Sequence, residues 1–80
     1  MNINLVAFGI ARDILGNSTQ KFDLKKGNTI EELKAELTSE FPKFEELASL
    51  KFAVNETYQQ DDFLLSENDE VVIIPPVSGG

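Results

Sequence analysis

Apolar and polar positions alternate from the start of the chain. Ile3, Leu5 and Ala7 fall on one side, and Asn4, Val6 and Phe8 on the other. A period of two marks a strand, and here it predicts one from Ile3 to Ile10. Towards its end both sides turn apolar, as in a central strand or one with a covered outer face. Ala11 to Leu15 fits a short helical turn closed by Gly16-Asn17. Thr19 to Leu24 reads as a second strand, with Phe22 and Leu24 on one side and a solvated face suggested by Gln20, Lys21 and Asp23. Their closeness in sequence predicts that the two strands are antiparallel neighbours.

After a turn at Lys25-Lys26-Gly27-Asn28 the period changes. Ile30, Leu33, Leu37 and Phe41 recur at steps of three and four, the stripe of an amphipathic helix. Thr29 opens it with capping-box spacing: its hydroxyl can accept from the Glu32 N–H, and the Glu32 carboxylate can accept from the Thr29 N–H. Glu31 and Glu32 also suit the positive end of the helix dipole. Pro42 ends the helix, because the residue before proline avoids helical backbone. Lys43 to Leu50 suggests a second short helix, with Phe44, Leu47 and Leu50 three apart. Lys51 to Val54 is a strand, Asn55-Glu56 a turn, and Gln59 to Asp62 a polar loop. Phe63 to Leu65 is a short extended piece, and 66–69 a turn. Glu70 to Ile74 closes the series with four consecutive apolar residues, as expected of a central strand or one beside a partner surface. The order predicts an α+β fold, a mixed sheet with one main helix across one face, and is compatible with the β-grasp (ubiquitin-like) arrangement.

Composition narrows the chemistry. The 80 residues allow one domain, and 41% of them are hydrophobic. There is no Cys and no His. Disulfides and thiolate nucleophiles are thereby excluded, as are Ser-His pairs and the usual structural zinc sites. No metal or cofactor is expected on the chain itself. The net charge of −7 opposes binding to a nucleic-acid backbone. It suits either a basic partner or simple solubility. No apolar run reaches membrane-spanning length, and the first residues lack the basic start of a signal peptide, so a cytoplasmic protein with no membrane contact is expected.

The end of the chain is the most informative segment. Pro75 and Pro76 cannot donate to a β-ladder, so the sheet should stop at Ile74, leaving a domain over 1–74 and a tail over 75–80. Their fixed φ makes the chain leave stiffly. Val77, Ser78, Gly79 and Gly80 continue an arm that reaches about 20 Å. It narrows to two residues without side chains, a form suited to a narrow tunnel, because a side chain would block one and glycine accepts whatever φ it imposes. The candidate reactive group is the Gly80 carboxylate, with Pro75 to Gly79 as the threading segment. A frayed end is the plain alternative.

The ending Asp69-Glu70-Val71-Val72-Ile73-Ile74-Pro75-Pro76-Val77-Ser78-Gly79-Gly80 resembles that of the sulfur-carrier (small) subunits of molybdopterin synthase. So do Phe52-Ala53-Val54-Asn55, Phe8 and Arg12-Asp13-Ile14-Leu15-Gly16, and the resemblance spans nearly the whole chain. Asn68 stands where that family often has glycine, and Asn tolerates left-handed backbone better than most residues. The resemblance implies the β-grasp fold and a chain that is not an enzyme alone. It implies that a ubiquitin-activating-like adenylyltransferase uses ATP to adenylate the Gly80 carboxylate. The acyl adenylate then becomes a thiocarboxylate, and the carrier donates its sulfur to a pyranopterin precursor within the large subunit of molybdopterin synthase. Nucleotide, metal and catalytic side chains belong to the partners on this reading. A thiamine-pathway sulfur carrier, a ubiquitin-like protein modifier and a plain interaction module are alternatives.

Four further residues are candidates for partner contact. Phe8, Tyr58 and Ile74 are expected in an exposed apolar patch, unless Phe8 and Ile74 belong to the core. Arg12 is expected to pair with a partner carboxylate or, more simply, with Asp13 or another surface acid. Asp61-Asp62 and Glu45-Glu46 read as solvated surface, because adjacent acids diverge on strands and helices.

Overall fold

The alternating segments pair into one sheet. The computed structural model describes residues 1–47 and 49–75. The elements are β1 (Asn2–Ala7), α1 (Gly9–Leu15), β2 (Thr19–Asp23), α2 (Ile30–Glu40), a 3₁₀ turn (Pro42–Glu46), β3 (Lys51–Val54), β4 (Thr57–Gln59) and β5 (Glu70–Ile74). The strand order is β2-β1-β5-β3-β4. Every pairing is antiparallel except β1 with β5, which runs parallel. This is the expected mixed sheet crossed by a helix, the β-grasp arrangement.

Alternation decides which side of each strand is covered. Ile3, Leu5, Ala7, Phe22, Phe52, Val54, Val71 and Ile73 face α2 and are buried. Ile30, Leu33 and Leu37 of the helical stripe meet them, each with no exposed surface. Phe41, the fourth member, is only partly buried. It caps the helix with non-helical backbone and packs edge-to-face on Phe44, ring centroids 6.3 Å apart. Full burial of a side chain of this size contributes about 1.5–3 kcal/mol, so the stripe is a large part of a small domain's stability.

The capping box is present. The Glu32 N–H donates to Thr29 Oγ1 at 3.1 Å, and the Thr29 N–H donates to Glu32 Oε1 at 3.1 Å. The Asn28 N–H adds a third bond to the same carboxylate at 2.9 Å. These bonds hold the Glu32 carboxyl below its ordinary pKa, the bond from Asn28 first.

The fold departs from expectation in four places. Strand β1 stops at Ala7, not Ile10, because Gly9 takes φ +55°, a left-handed value that breaks the pleat and starts α1. The second helix is a 3₁₀ turn over Pro42–Glu46 and does not reach Leu50. The short strand before β5 is Thr57–Gln59, between the turn expected at Asn55-Glu56 and the polar loop expected from Gln59. The segment expected to supply it, Phe63 to Leu65, instead serves the start of α2. Phe63 O accepts from the Ile30 N–H at 3.1 Å, the Leu65 N–H donates to Asn28 O, and Leu64 bridges Thr29.

Candidate functional site

The sheet has two unlike faces, and the uncovered one carries the candidate surface. Cross-strand partners share a face. Tyr58 pairs with Ala53, Ala53 with Val72, and Val72 with Val6. These four side chains form one apolar row across β4, β3, β5 and β1, on the side away from α2. Ile74 lies two residues beyond Val72 on the same face and is half-buried. Phe8 keeps extended backbone (φ −128°, ψ 160°) and prolongs β1 by one residue past Ala7. Because Ala7 pairs with Ile73, Phe8 comes level with Ile74. Phe8 is 58% exposed and Tyr58 67%.

The expected patch therefore exists, and Phe8 is surface rather than core. Sequence reading missed Val6, Ala53 and Val72 as its middle, although Val6 and Val72 already stood out as apolar on a strand's second face. Exposed Ile10, 46% accessible, was also missed. It follows Phe8 on α1 and was hidden by its assignment to a longer β1. Arg12 lies one turn further along α1, and its N–H donates to Phe8 O at 3.3 Å. Among the described residues, its expected pairing with Asp13 or another surface acid is absent. The ion pairs among the described residues are Met1 with Asp23 and Lys34 with Asp61.

Two turns set the position of this face. Asn55 and Glu56 both have positive φ, 48° and 75°, the paired left-handed values of a type I′ hairpin turn, and this turn sends β4 back along β3 with Tyr58 outward. The Asn55 side chain donates to Asp69 Oδ1 at 3.0 Å and accepts from the Glu70 N–H at 3.1 Å, tying the hairpin to the start of β5. Asn68 takes φ +66°, the left-handed conformation anticipated for it. The Ser66 N–H donates to Asp69 Oδ2 at 2.8 Å, which closes that turn. Strand β5 is thus fixed between β1 and β3 from its first residue, and it ends at Ile74 with Lys51 opposite. Pro75 follows outside the strand. The threading segment from Pro76 through Val77, Ser78 and Gly79 to Gly80 lies outside the described residues.

A cleft of about 800 Å³, lined by Leu50, Lys51, Phe52, Tyr58, Gln59, Gln60 and Asp61, adjoins the end of β5. No polar or charged residue is buried among the described residues. The carboxyl shifted from its ordinary pKa, Glu32, is engaged in capping a helix on the other side of the sheet. This face can dock an apolar partner surface beside the point where the chain leaves the sheet. Among the described residues, no helix is long and apolar enough to cross a membrane.

A model of the ThiS family matches residues 5–80. A molybdopterin synthase sulfur carrier subunit of Chlamydomonas reinhardtii is 36% identical, covering 100% of both chains. One from Arabidopsis thaliana is 35% identical, covering 100% of this chain and 84% of its own length. Among solved structures, a candidate molybdopterin converting factor subunit 1 from Pyrococcus furiosus superposes with a TM-score of 0.85 at 26% identity, covering 96% of this chain and 99% of the other. A complex of subunits 1 and 2 of the molybdopterin-converting factor from Helicobacter pylori gives a TM-score of 0.66 at 26% identity, covering 100% of each chain.

Proposed function

This chain belongs to the ThiS family, and from that membership together with its likeness over its whole length to molybdopterin synthase sulfur carrier subunits we propose that it is the sulfur carrier subunit of a molybdopterin synthase. Its partner is the synthase's large subunit, and it works in the cytoplasm. The observation that carries this reading is the 35% and 36% identity to molybdopterin synthase sulfur carrier subunits over 100% of this chain, beside a family match that extends to residue 80.

The chemistry starts from a poor electrophile. A carboxylate must be activated before sulfur can replace oxygen. A ubiquitin-activating-like partner joins the Gly80 carboxylate to the α-phosphate of ATP, releasing pyrophosphate. Sulfur at the sulfide level then attacks the acyl carbon and AMP departs, leaving a thiocarboxylate. In the synthase that sulfur displaces an oxygen substituent from a carbon of the pyranopterin precursor, forming a thioester, and water then cleaves the bond between the sulfur and the acyl carbon, so the sulfur stays on the pterin and the terminus is again a carboxylate. The chain itself supplies the reacting atom, the arm and a docking face. Phe8, Tyr58 and Ile74, with Val6, Ala53 and Val72 between them, meet the partner, and Arg12 pairs with a partner carboxylate at the edge. Pro75 and Pro76 start the arm straight, and Val77, Ser78 and Gly79 thread it.

The test is removal of Gly80. The shortened chain should keep its thermal stability and lose thiocarboxylate formation with the activating enzyme, ATP and a sulfur donor, read by intact mass. Each deleted residue withdraws the reacting carbon by about 3.3 Å, and a misplacement near 1 Å already costs on the order of 100-fold in rate. A chain without Gly80 that gains sulfur and converts precursor at the normal rate would overturn the proposal. A Gly80–lysine isopeptide in place of the sulfur product would reassign the chain to protein modification.

A further inference from the structure

One cation stands inside the apolar patch. Lys51 opens β3, and its register partner is Ile74, the last residue of β5. Cross-strand partners share a face, so Lys51 lies on the uncovered side with Ile74, roughly 5 Å from it. Ala53 follows on the same face. Tyr58, opposite Ala53, is the diagonal neighbour of Lys51, roughly 7 Å away. Lys51 is exposed and lines the same cleft as Tyr58 and Gln60. Asp61, the acid of that cleft, is already paired with Lys34 at 3.2 Å, and the ion pairs among the described residues do not include Lys51. The other lysine on this face, Lys21, sits opposite Asn4 on the edge strand, outside the apolar row.

Docking changes the surroundings of this ammonium. A partner that covers Ile74 and Tyr58 also covers Lys51, which lies between them. An unpaired charge taken out of water is expensive, and a covered one needs a counter-charge. Lysine commonly escapes by stretching its stem past an interface to water. Here the way past Ile74 is the one the arm takes into the partner, so protein surrounds that end as well. The arm also decides what the counter-charge is. Nucleotide and pterin precursor react at Gly80, about 20 Å beyond Ile74 when the arm is extended. Neither reaches Lys51, so the anion belongs to a side chain of the docked protein.

We propose that the large synthase subunit sets an Asp or Glu carboxylate against the Lys51 ammonium, and that this pair fixes the root of the arm. The inference rests on the carrier reading above and adds a positioning residue to it. Apolar contact is non-directional, so the row of Val6, Ala53, Tyr58 and Val72 alone leaves two flat surfaces free to slide. A charge pair sets the register. Because Lys51 is the ladder partner of Ile74, a pair made there determines where the arm begins. Elsewhere the chain repels an acidic surface, with 14 acidic against 7 basic residues, so few other registers accept the same carboxylate.

The test turns on the sign of one substitution. The terminal thiocarboxylate is made chemically, by sulfide cleavage of a thioester fusion, so loading does not depend on the activating enzyme. The loaded full chain is titrated with the large subunit by calorimetry, and precursor conversion is followed with the same preparations. Lys51→Met keeps the stem and removes the charge. With a partner carboxylate present it strands that acid, and binding should weaken about thirtyfold or more. Without one it removes a desolvation cost, and binding should tighten. Lys51→Arg should retain most of the affinity, and Lys51→Glu should lose more than Lys51→Met. A large subunit with an acid of its docking face changed to lysine should bind the Lys51→Glu chain better than it binds the parent. Each variant alone should melt within about 2–4 °C of the parent, since Lys51 is exposed. When the subunits are saturated with each other, Lys51→Met should still convert precursor more slowly, because the root of the arm is no longer held. Unchanged or tighter binding of Lys51→Met, weakening confined to the activating enzyme, or conversion at the parent rate by saturated Lys51→Met would overturn the proposal and leave the carrier reading standing. A loaded parent chain that neither binds the large subunit nor converts precursor would overturn the carrier reading, and this inference with it.

Discussion

The hairpin turn between β3 and β4 offers a sharp test of the backbone. Asn55 and Glu56 are both left-handed, yet only Asn55 has compensation from its side chain, in the bonds to Asp69 and Glu70. Glu56 takes φ +75°, and no hydrogen bond of its side chain is found among the described residues. Left-handed backbone costs a residue with a Cβ about 1–2 kcal/mol. Glu56→Gly removes that cost and adds about 0.5–1 kcal/mol of unfolded-state entropy against folding. The net expectation is a gain of about 0.5–1 kcal/mol. For a chain of this length 1 kcal/mol moves the melting temperature by about 4–8 °C, so the variant should melt a few degrees higher. Asn55→Gly should do the reverse. It keeps the conformation but deletes two hydrogen bonds worth about 1 kcal/mol each, for a net loss of about 1–2 kcal/mol. The assay is thermal and urea unfolding of both variants beside the parent, with the denaturant slope checked for constancy. A Glu56→Gly variant that melts lower, or an Asn55→Gly variant that melts higher, would refute the argument that strain sits at one residue and its compensation at the other.

Three further outcomes follow from the same geometry. Leu33→Ala or Leu37→Ala, at fully buried positions, should cost about 2–5 kcal/mol in chemical unfolding, a large share of the stability of so small a domain. Because the folded state holds the Glu32 carboxyl below its ordinary 4.5, the capping box contributes fully above that pH, and its contribution fades as pH falls towards the lowered folded value. Glu32→Gln should flatten that part of the stability–pH curve and leave the curve near neutrality parallel to the parent's. Tyr58→Asp should leave the melting temperature within about 2–4 °C, as expected at an exposed site, and should weaken binding to the large synthase subunit by calorimetry; unchanged binding would remove Tyr58 from the docking face.

The sequence made some elements plain and concealed others for physical reasons. Helix α2 was legible from cap to proline because its start is written in side-chain chemistry, Thr29 with Glu32, and its face in a steady period. Strand β5 and the left-handed Asn68 were equally clear. The end of β1 was not, since Phe8 and Ile10 continue the apolar run while Gly9, which breaks it, has no side chain to signal the change. Strand β4 is short, lies at an edge and reads Thr-Tyr-Gln, so its pairing comes from the turn that precedes it rather than from its own pattern. Phe44, Leu47 and Leu50, three apart, suggest a short helix over Lys43 to Leu50, but the 3₁₀ turn that forms, Pro42–Glu46, holds only Phe44 of the three. At the candidate site, Phe8, Tyr58 and Ile74 were legible one by one as apolar residues. Their union with Val6, Ala53 and Val72 depends on strand order, which local pattern does not encode.

The parallel pairing of β1 with β5 also bears on biosynthesis. Within this domain the first strand made, β1, and the last, β5, are hydrogen-bonded neighbours in the middle of the sheet, and among the described strands β3 joins β1 and β2 through β5. A nascent chain can form the β1–β2 hairpin and α2 early, but it cannot close the sheet until β5 has emerged. Closure of the sheet is therefore held back until β5 has been made by contacts of high sequence separation, and until then one side of β1 stands open. A chain cut short before β5 lacks its central strand, so the cell's proteases meet it unfolded.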